Sequence, residues 1–196
     1  MEISIIILCL ILCAFFSGIE IAFISSNKIY LEIEKKQDNF ISKILTKLTE
    51  QPSKFIVAML IGNNIALVVY GFFMGDLLMR WFENSGLELT DLSNLLLQTL
   101  VSTVIVLMTS EFLPKVFFQI YANSFLKFFA VPAFCFYWLF YYISSFIIWI
   151  SDHFLKKFFK TQGDQVQLYF SKVELGNYIT EQMSTVEDNE EVDSEI

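Results

Sequence analysis

The stretch from Ile3 to Ile24 reads ISIIILCLILCAFFSGIEIAFI, an apolar run broken only by Ser4, Ser17, Gly18 and Glu20. A helix of this length rises far enough to cross a bilayer, which needs about 20 predominantly apolar residues. A secretory signal peptide is the competing reading. No basic residue precedes the run and no A-x-A-like site closes it, which favours a span. Two more stretches match it in length, Phe55 to Met79 and Leu92 to Leu113, separated by the polar segment Arg80 to Asp91. The fold expected is an all-α membrane protein with spans at about 3–24, 55–79 and 92–113.

The composition agrees. Of 196 residues, 55% are hydrophobic and 17% charged, and the mean hydropathy is +0.56, too apolar for an ordinary soluble domain. One histidine, His153, cannot build a His-rich metal site or relay. Cys9, Cys13 and Cys135 form no CxxC knuckle and read as buried thiols. A net charge of −8 argues against a nucleic-acid partner, and no nucleophile and base pair occurs within the spans, so no enzyme is expected.

Lys28, Lys35, Lys36, Lys43, Lys47 and Lys54 crowd the connection after the first span, whereas the second connection sets Arg80 against Glu83, Glu88 and Asp91. The positive-inside rule makes the first connection cytoplasmic and the N-terminus external. Phe128 to Ile150 is then decisive. Hydropathy alone makes it a fourth span. Lys127 before it and Lys156, Lys157 and Lys160 after it oppose a crossing, and its eleven aromatic residues from Phe128 to Trp149 suit the membrane interface. A juxtamembrane or re-entrant hairpin at about 117–155 is favoured, with Pro132 a candidate break near its start. Ser171 and Glu174 form a capping box for a short cytoplasmic helical region at 161–185. Residues 186–196, with six acids and no base, read as an acidic tail.

Polar residues inside spans carry the functional signal, because they pair, line cavities or bind ions. They form four clusters: Ser17-Gly18 with Glu20; Gly62-Asn63-Asn64; Ser102-Thr103; and Thr109-Ser110-Glu111 with Pro114. At about 1.5 Å per residue, Ser17 lies roughly 10 Å, and Asn63 roughly 12 Å, from the cytoplasmic ends of their spans. Glu111 is near the inner end of the third; Ser102 and Thr103 lie higher and fit less well. Pro114 has no N–H, so the Ser110 carbonyl lacks its usual helical donor. The Ser17 hydroxyl, Asn63 amide oxygen, Ser110 carbonyl and Glu111 carboxylate make an all-oxygen set suited to Mg2+ or Ca2+. Each has a plainer reading: Ser17-Gly18 as a close helix contact, Gly62-Asn63-Asn64 as a kink with interhelical hydrogen bonds, Glu111 as a partner of Lys115, and Glu20 as an ion-pair partner at the cytoplasmic end.

The strings Phe15-Phe16-Ser17-Gly18-Ile19-Glu20-Ile21-Ala22, Ser25-Ser26-Asn27-Lys28, Leu60-Ile61-Gly62-Asn63-Asn64 and Ser110-Glu111-Phe112-Leu113-Pro114-Lys115 resemble the transmembrane domain of the CorC/CNNM (cyclin M) magnesium transporters. Each is weak alone; their order and spacing are specific, and the likeness covers roughly residues 1–185. It implies a homodimer in the bacterial inner membrane, a helical region leading to cytoplasmic CBS domains, and Mg2+ as the transported ion, with efflux the direction and Na+ a candidate coupling ion. It places the Mg2+ site at Ser17, Asn63, the Ser110 carbonyl and Glu111, with Ser25 or Ser26 as further candidates and Gly18, Gly62 and Pro114 as structural residues. No CBS-like sequence is present, so a truncated chain is expected. The family usually has Gly where Ser110 stands, and often Ser where Ile19 stands. The alternative is a non-transporting scaffold or sensor, such as a hemolysin-like or gliding-motility accessory protein.

Overall fold

The structure is a computed structural model that describes residues 2–37, 39–85 and 90–159. The expected helical region at 161–185 and the tail at 186–196 lie outside the described residues, among which there is no strand. Contacts divide the chain into units 1–147 and 148–196. The first contains the three helices that are long and apolar enough to span: α1 (Glu2–Ser25), α4 (Pro52–Asn84) and a third span, Asp91–Ile120.

The first connection is two amphipathic helices, α2 (Lys28–Lys35) and α3 (Phe40–Glu50). Asn27 Oδ1 accepts from the amides of Ile29 and Tyr30 at 2.9 and 3.1 Å, and Asn39 Oδ1 from that of Ser42 at 2.7 Å. Each side chain thereby satisfies amides that a helix start leaves orphaned. The Ser42 hydroxyl lies 2.8 Å from the carbonyls of Glu34 and Lys35 and closes α3 onto α2. Pro52 occupies the first turn of α4, where a missing N–H costs nothing.

The third span is three consecutive pieces: α5 (Asp91–Val106), a π-helical turn over Leu107–Phe112, and α6 (Leu113–Ile120). Pro114 explains the wide turn. Its ring crowds the carbonyl of Ser110, which a regular helix would bring against it, and a local π adjustment accommodates a proline within a span.

Beyond the third span, α7 (Ala122–Phe128) and α8 (Ala130–Leu139) are bent by 66°, and α9 runs Tyr141–Phe159. The break falls at Phe129 and not at Pro132. Pro132 instead sits in the first turn of α8, where its absent N–H would have no partner in any case. Cys135 also departs from expectation: α8 buries Ala130, Ala133 and Tyr137, so Cys135 lies on the opposite face and is exposed, whereas Cys9 and Cys13 are buried.

Two cores hold the first unit. One joins Ile6, Cys9, Tyr70, Met74, Leu78, Phe82 and Val106 from α1, α4 and α5. At its end of the helices Arg80 pairs with Glu2 and, at 3.0 Å, with Asp76. The other joins the far ends of α1 and α4 to α2, α3, α7 and α8 through Phe16, Leu31, Leu45, Phe55, Leu126 and Ala133. Lys47 lies over the Phe134 ring at 5.6 Å and Lys54 over Tyr141 at 4.2 Å. The lysine-rich connection and the bent α7–α8 pair therefore share one end of the helices.

Lys127 of the hairpin reaches Glu34 of α2 at 2.6 Å. Glu34 is buried, and its hydrogen bond and charge hold the Lys127 ammonium above the usual lysine range. A raised lysine pKa contributes stability fully below the unfolded value and loses it only as pH rises through the folded one, so the tie persists at neutral pH. Lys127→Ala leaves the buried Glu34 carboxylate without this cation. It is expected to lower the thermal midpoint in detergent at pH 7, and adding Glu34→Gln to recover part of the loss; a midpoint unchanged by Lys127→Ala would mean that the pair is not formed.

Candidate metal centre

Four features bring three elements to one seam. Phe16 of α1 lies against Gly62 of α4 so closely that a Cβ there would stand 2.6 Å from the ring. The Cys13 thiol, one turn before Ser17, faces the Asn63 carbonyl at 3.9 Å. The Ser110 hydroxyl, fully buried, donates to the Leu10 carbonyl at 3.0 Å. Phe118 of α6 covers Gly18, where a Cβ would meet its ring at 2.7 Å. Leu10, Ala14 and Ser17 recur at i, i+4 and i+7, one face of α1. The third span thus meets α1 on the face that carries Ser17, and α4 meets α1 beside it. Gly18 and Gly62 are the residues whose missing side chains permit these approaches.

The hydrogen-bond inventory sorts the polar residues of the spans. Asn64 Nδ2 donates to the Leu60 carbonyl at 2.9 Å and Thr109 Oγ1 to that of Ile105 at 2.7 Å, both within their own helices. Ser26 Oγ donates to the Phe23 carbonyl at 2.8 Å, at the end of α1. By contrast, Ser17 Oγ and Asn63 Oδ1 are buried with no protein partner. An unsatisfied buried oxygen costs about 1–3 kcal/mol, so two of them on facing helices call for a ligand, an ion or a water.

Glu111, half-buried on the π-helical turn, lines a cleft between α4 and the third span. Its neighbour Ser110 turns its hydroxyl into α1, so only its main chain is left to serve a metal. Ser25 and Ser26 stand about 12 Å further along α1 than Ser17, too far to share one ion with it. Among the described residues no three His, Cys, Asp or Glu side chains cluster. A metal held here would have neutral oxygens around one carboxylate.

The sequence reading passed over Gln98 and Tyr70, which line the same cleft. Gln98 carried a signal, an amide in the middle of an apolar run; Tyr70 carried none.

The profile of the cyclin M transmembrane N-terminal domain matches residues 4–191. The chain is 30% identical over 120 residues to a UPF0053 protein of Haemophilus influenzae, covering 61% of this chain and 27% of that protein. It is 30% identical over 111 residues to the UPF0053 inner membrane protein YfjD of Escherichia coli, covering 57% of this chain and 24% of that protein. The matches thus span about a quarter of the length of these relatives. With three helices able to cross a bilayer and a match over nearly its whole length, the chain belongs to the cyclin M transmembrane domain family.

Proposed function

We propose that the chain is the membrane domain of a Mg2+ transporter, which takes the ion from the cytoplasm at Ser17, Asn63, the Ser110 carbonyl and Glu111 and releases it outside. The observation that carries this reading is the pair of orphaned buried oxygens, Ser17 Oγ and Asn63 Oδ1, on facing helices. Mg2+ is a hard cation that keeps several waters and takes one or two carboxylates. Two neutral oxygens, a carbonyl and one carboxylate suit it. Glu111 offsets part of the lost hydration, and the neutral ligands fix position. The lysine-rich end of the helices is the cytoplasmic one under the positive-inside rule, which puts the site in the inner half of the membrane. The inner membrane is the proposed location, by analogy with YfjD. A homodimer, cytoplasmic CBS domains elsewhere in the full-length protein and Na+ as the coupling ion complete the proposal; no catalytic role is included.

The test is a Mg2+ titration of the thermal midpoint of the full-length protein in detergent, paired with Mg2+ flux in proteoliposomes. Parent protein is expected to show a saturable rise and a flux. Ser110→Ala is expected to keep the Mg2+ response, because the carbonyl remains, while lowering the metal-free midpoint by the equivalent of about 1 kcal/mol for the lost hydrogen bond to Leu10. A flat titration with no flux would leave the scaffold or sensor reading.

A further inference from the structure

The cleft that Glu111 lines has a volume of about 340 Å3, room for about ten waters at liquid density. One wall is α4 at Tyr70, Gly71 and Gly75; the other is the third span at Gln98 and Ser102, with Glu111 at one end. From Gln98 to Glu111 the helix rises about 20 Å, two thirds of a hydrocarbon core of about 30 Å. One turn beyond Gln98, Asn94 Oδ1 is buried with no protein partner. Asn94, Gln98 and Ser102 follow one another at i+4, so an amide, an amide and a hydroxyl share one face of the span. Hydrocarbon cannot satisfy such groups, and in membranes they line protein seams or water-filled cavities.

Two glycines shape the space. A Cβ at Gly71 would meet nothing within 4 Å, whereas one at Gly75 would run into the Gln98 amide. Gly71 therefore borders the open part of the cleft, and Gly75 lets Gln98 lie on the backbone as its narrow point. The Tyr70 hydroxyl donates to the Ser102 carbonyl at 3.0 Å. Its proton is engaged, and the phenolic oxygen is left as an acceptor.

We propose that this cleft is a water-filled half-channel connecting Glu111 with the face of the membrane on which Ser85 lies, with Gln98 over Gly75 as its constriction and a hydrated cation as its occupant. It is the exit from the metal centre and rests on that reading for its cargo, though not for its water. A helix of a second copy is the other occupant that a polar seam accepts. The concavity and the open space at Gly71 favour water over a packed helix.

Thiol accessibility in membrane vesicles containing the full-length protein tests this, with Cys9, Cys13 and Cys135 replaced by alanine. Ser102→Cys reports the cleft. Val104→Cys, exposed at similar depth but outside the cleft lining, reports lipid, and Ser85→Cys marks the membrane face. A membrane-impermeant maleimide requires a hydrated, ionisable thiol. From the Ser85 side, Ser102→Cys is expected to react at least tenfold faster than Val104→Cys. Adding Gly71→Leu, whose Cβ would meet nothing within 4 Å, is expected to slow it at least tenfold and leave Ser85→Cys unaffected. No reaction at Ser102→Cys, reaction only from the opposite face, or oxidative cross-linking of Ser102→Cys between two copies would overturn the half-channel. The Mg2+ titration separates the two readings: labelling without a Mg2+ response retains the channel and removes the metal centre, and the reverse result removes the channel alone.

Discussion

Glu111→Gln is expected to abolish the rise in thermal midpoint that Mg2+ produces in the parent protein. At a Mg2+ concentration of about one hundred times the Kd, binding stabilises the folded state by about 2.7 kcal/mol, and all of that is lost in the variant. The metal-free midpoint should not fall, and a rise is the more natural result, because an amide in the membrane is less costly than a carboxylate. That combination separates a ligand from a structural residue: a packing role would lower the metal-free midpoint and leave the response intact. An undiminished Mg2+ response would remove Glu111 from the site. Ser110→Ala is the companion, since it should have the opposite pattern.

The second large effect lies at the ring that seats α1 on α4. Phe16 is 2% exposed, with the rings of Phe15 at 5.4 Å and Phe136 at 4.8 Å around it and Gly62 beneath it. Phe16→Ala is expected to cost about 3–5 kcal/mol through the cavity it leaves. Gly62→Ala should cost about 1–3 kcal/mol, since the ring has no free direction in which to yield. Together they should cost clearly less than their sum, because the new methyl enters the space that the ring has vacated. Chemical denaturation of the four proteins in detergent measures the coupling. Additive losses would mean that Phe16 does not rest on Gly62. Phe136 belongs to the hairpin, so Phe16→Ala should also speed proteolysis near Phe129.

The three spans were legible because bilayer thickness converts directly into a count of apolar residues, and Ser17, Asn63 and Glu111 stood out because polar atoms are rare within such runs. The helices α2 and α3 were not foreseen, although Asn27 and Asn39 each stand where a cap belongs; the lysines drew the reading toward charge. Pro132 signalled a break three residues from where one occurs, because proline is tolerated in a first turn. The polar cleft was missed for a different reason. Gly71, Gly75 and Tyr70 acquire their meaning only against Gln98 and Ser102 of another helix, and no periodicity within one segment carries that pairing. Ser102, higher in its span than Glu111, lines the cleft opposite Tyr70, a placement that depth along one helix does not convey.

The π-helical turn at Leu107–Phe112 makes the third span two helical screws. In a regular helix an added residue turns everything after it by about 100°. The screw before the turn is keyed to α4, through Gln98 on Gly75 and Ser102 with Tyr70; the turn itself and the screw after it are keyed to α1, through Ser110 with Leu10 and Phe118 on Gly18. Loss of one residue from the turn would restore a plain helix and leave both sets of contacts in phase, because the wide turn already absorbs that residue, whereas loss between Ser102 and the turn would rotate one set away by about 100°. A change of residue type at Leu107 or Met108, both exposed, disturbs neither key. The length of the stretch between Ser102 and the turn is therefore fixed more tightly by its contacts than the length of the turn itself.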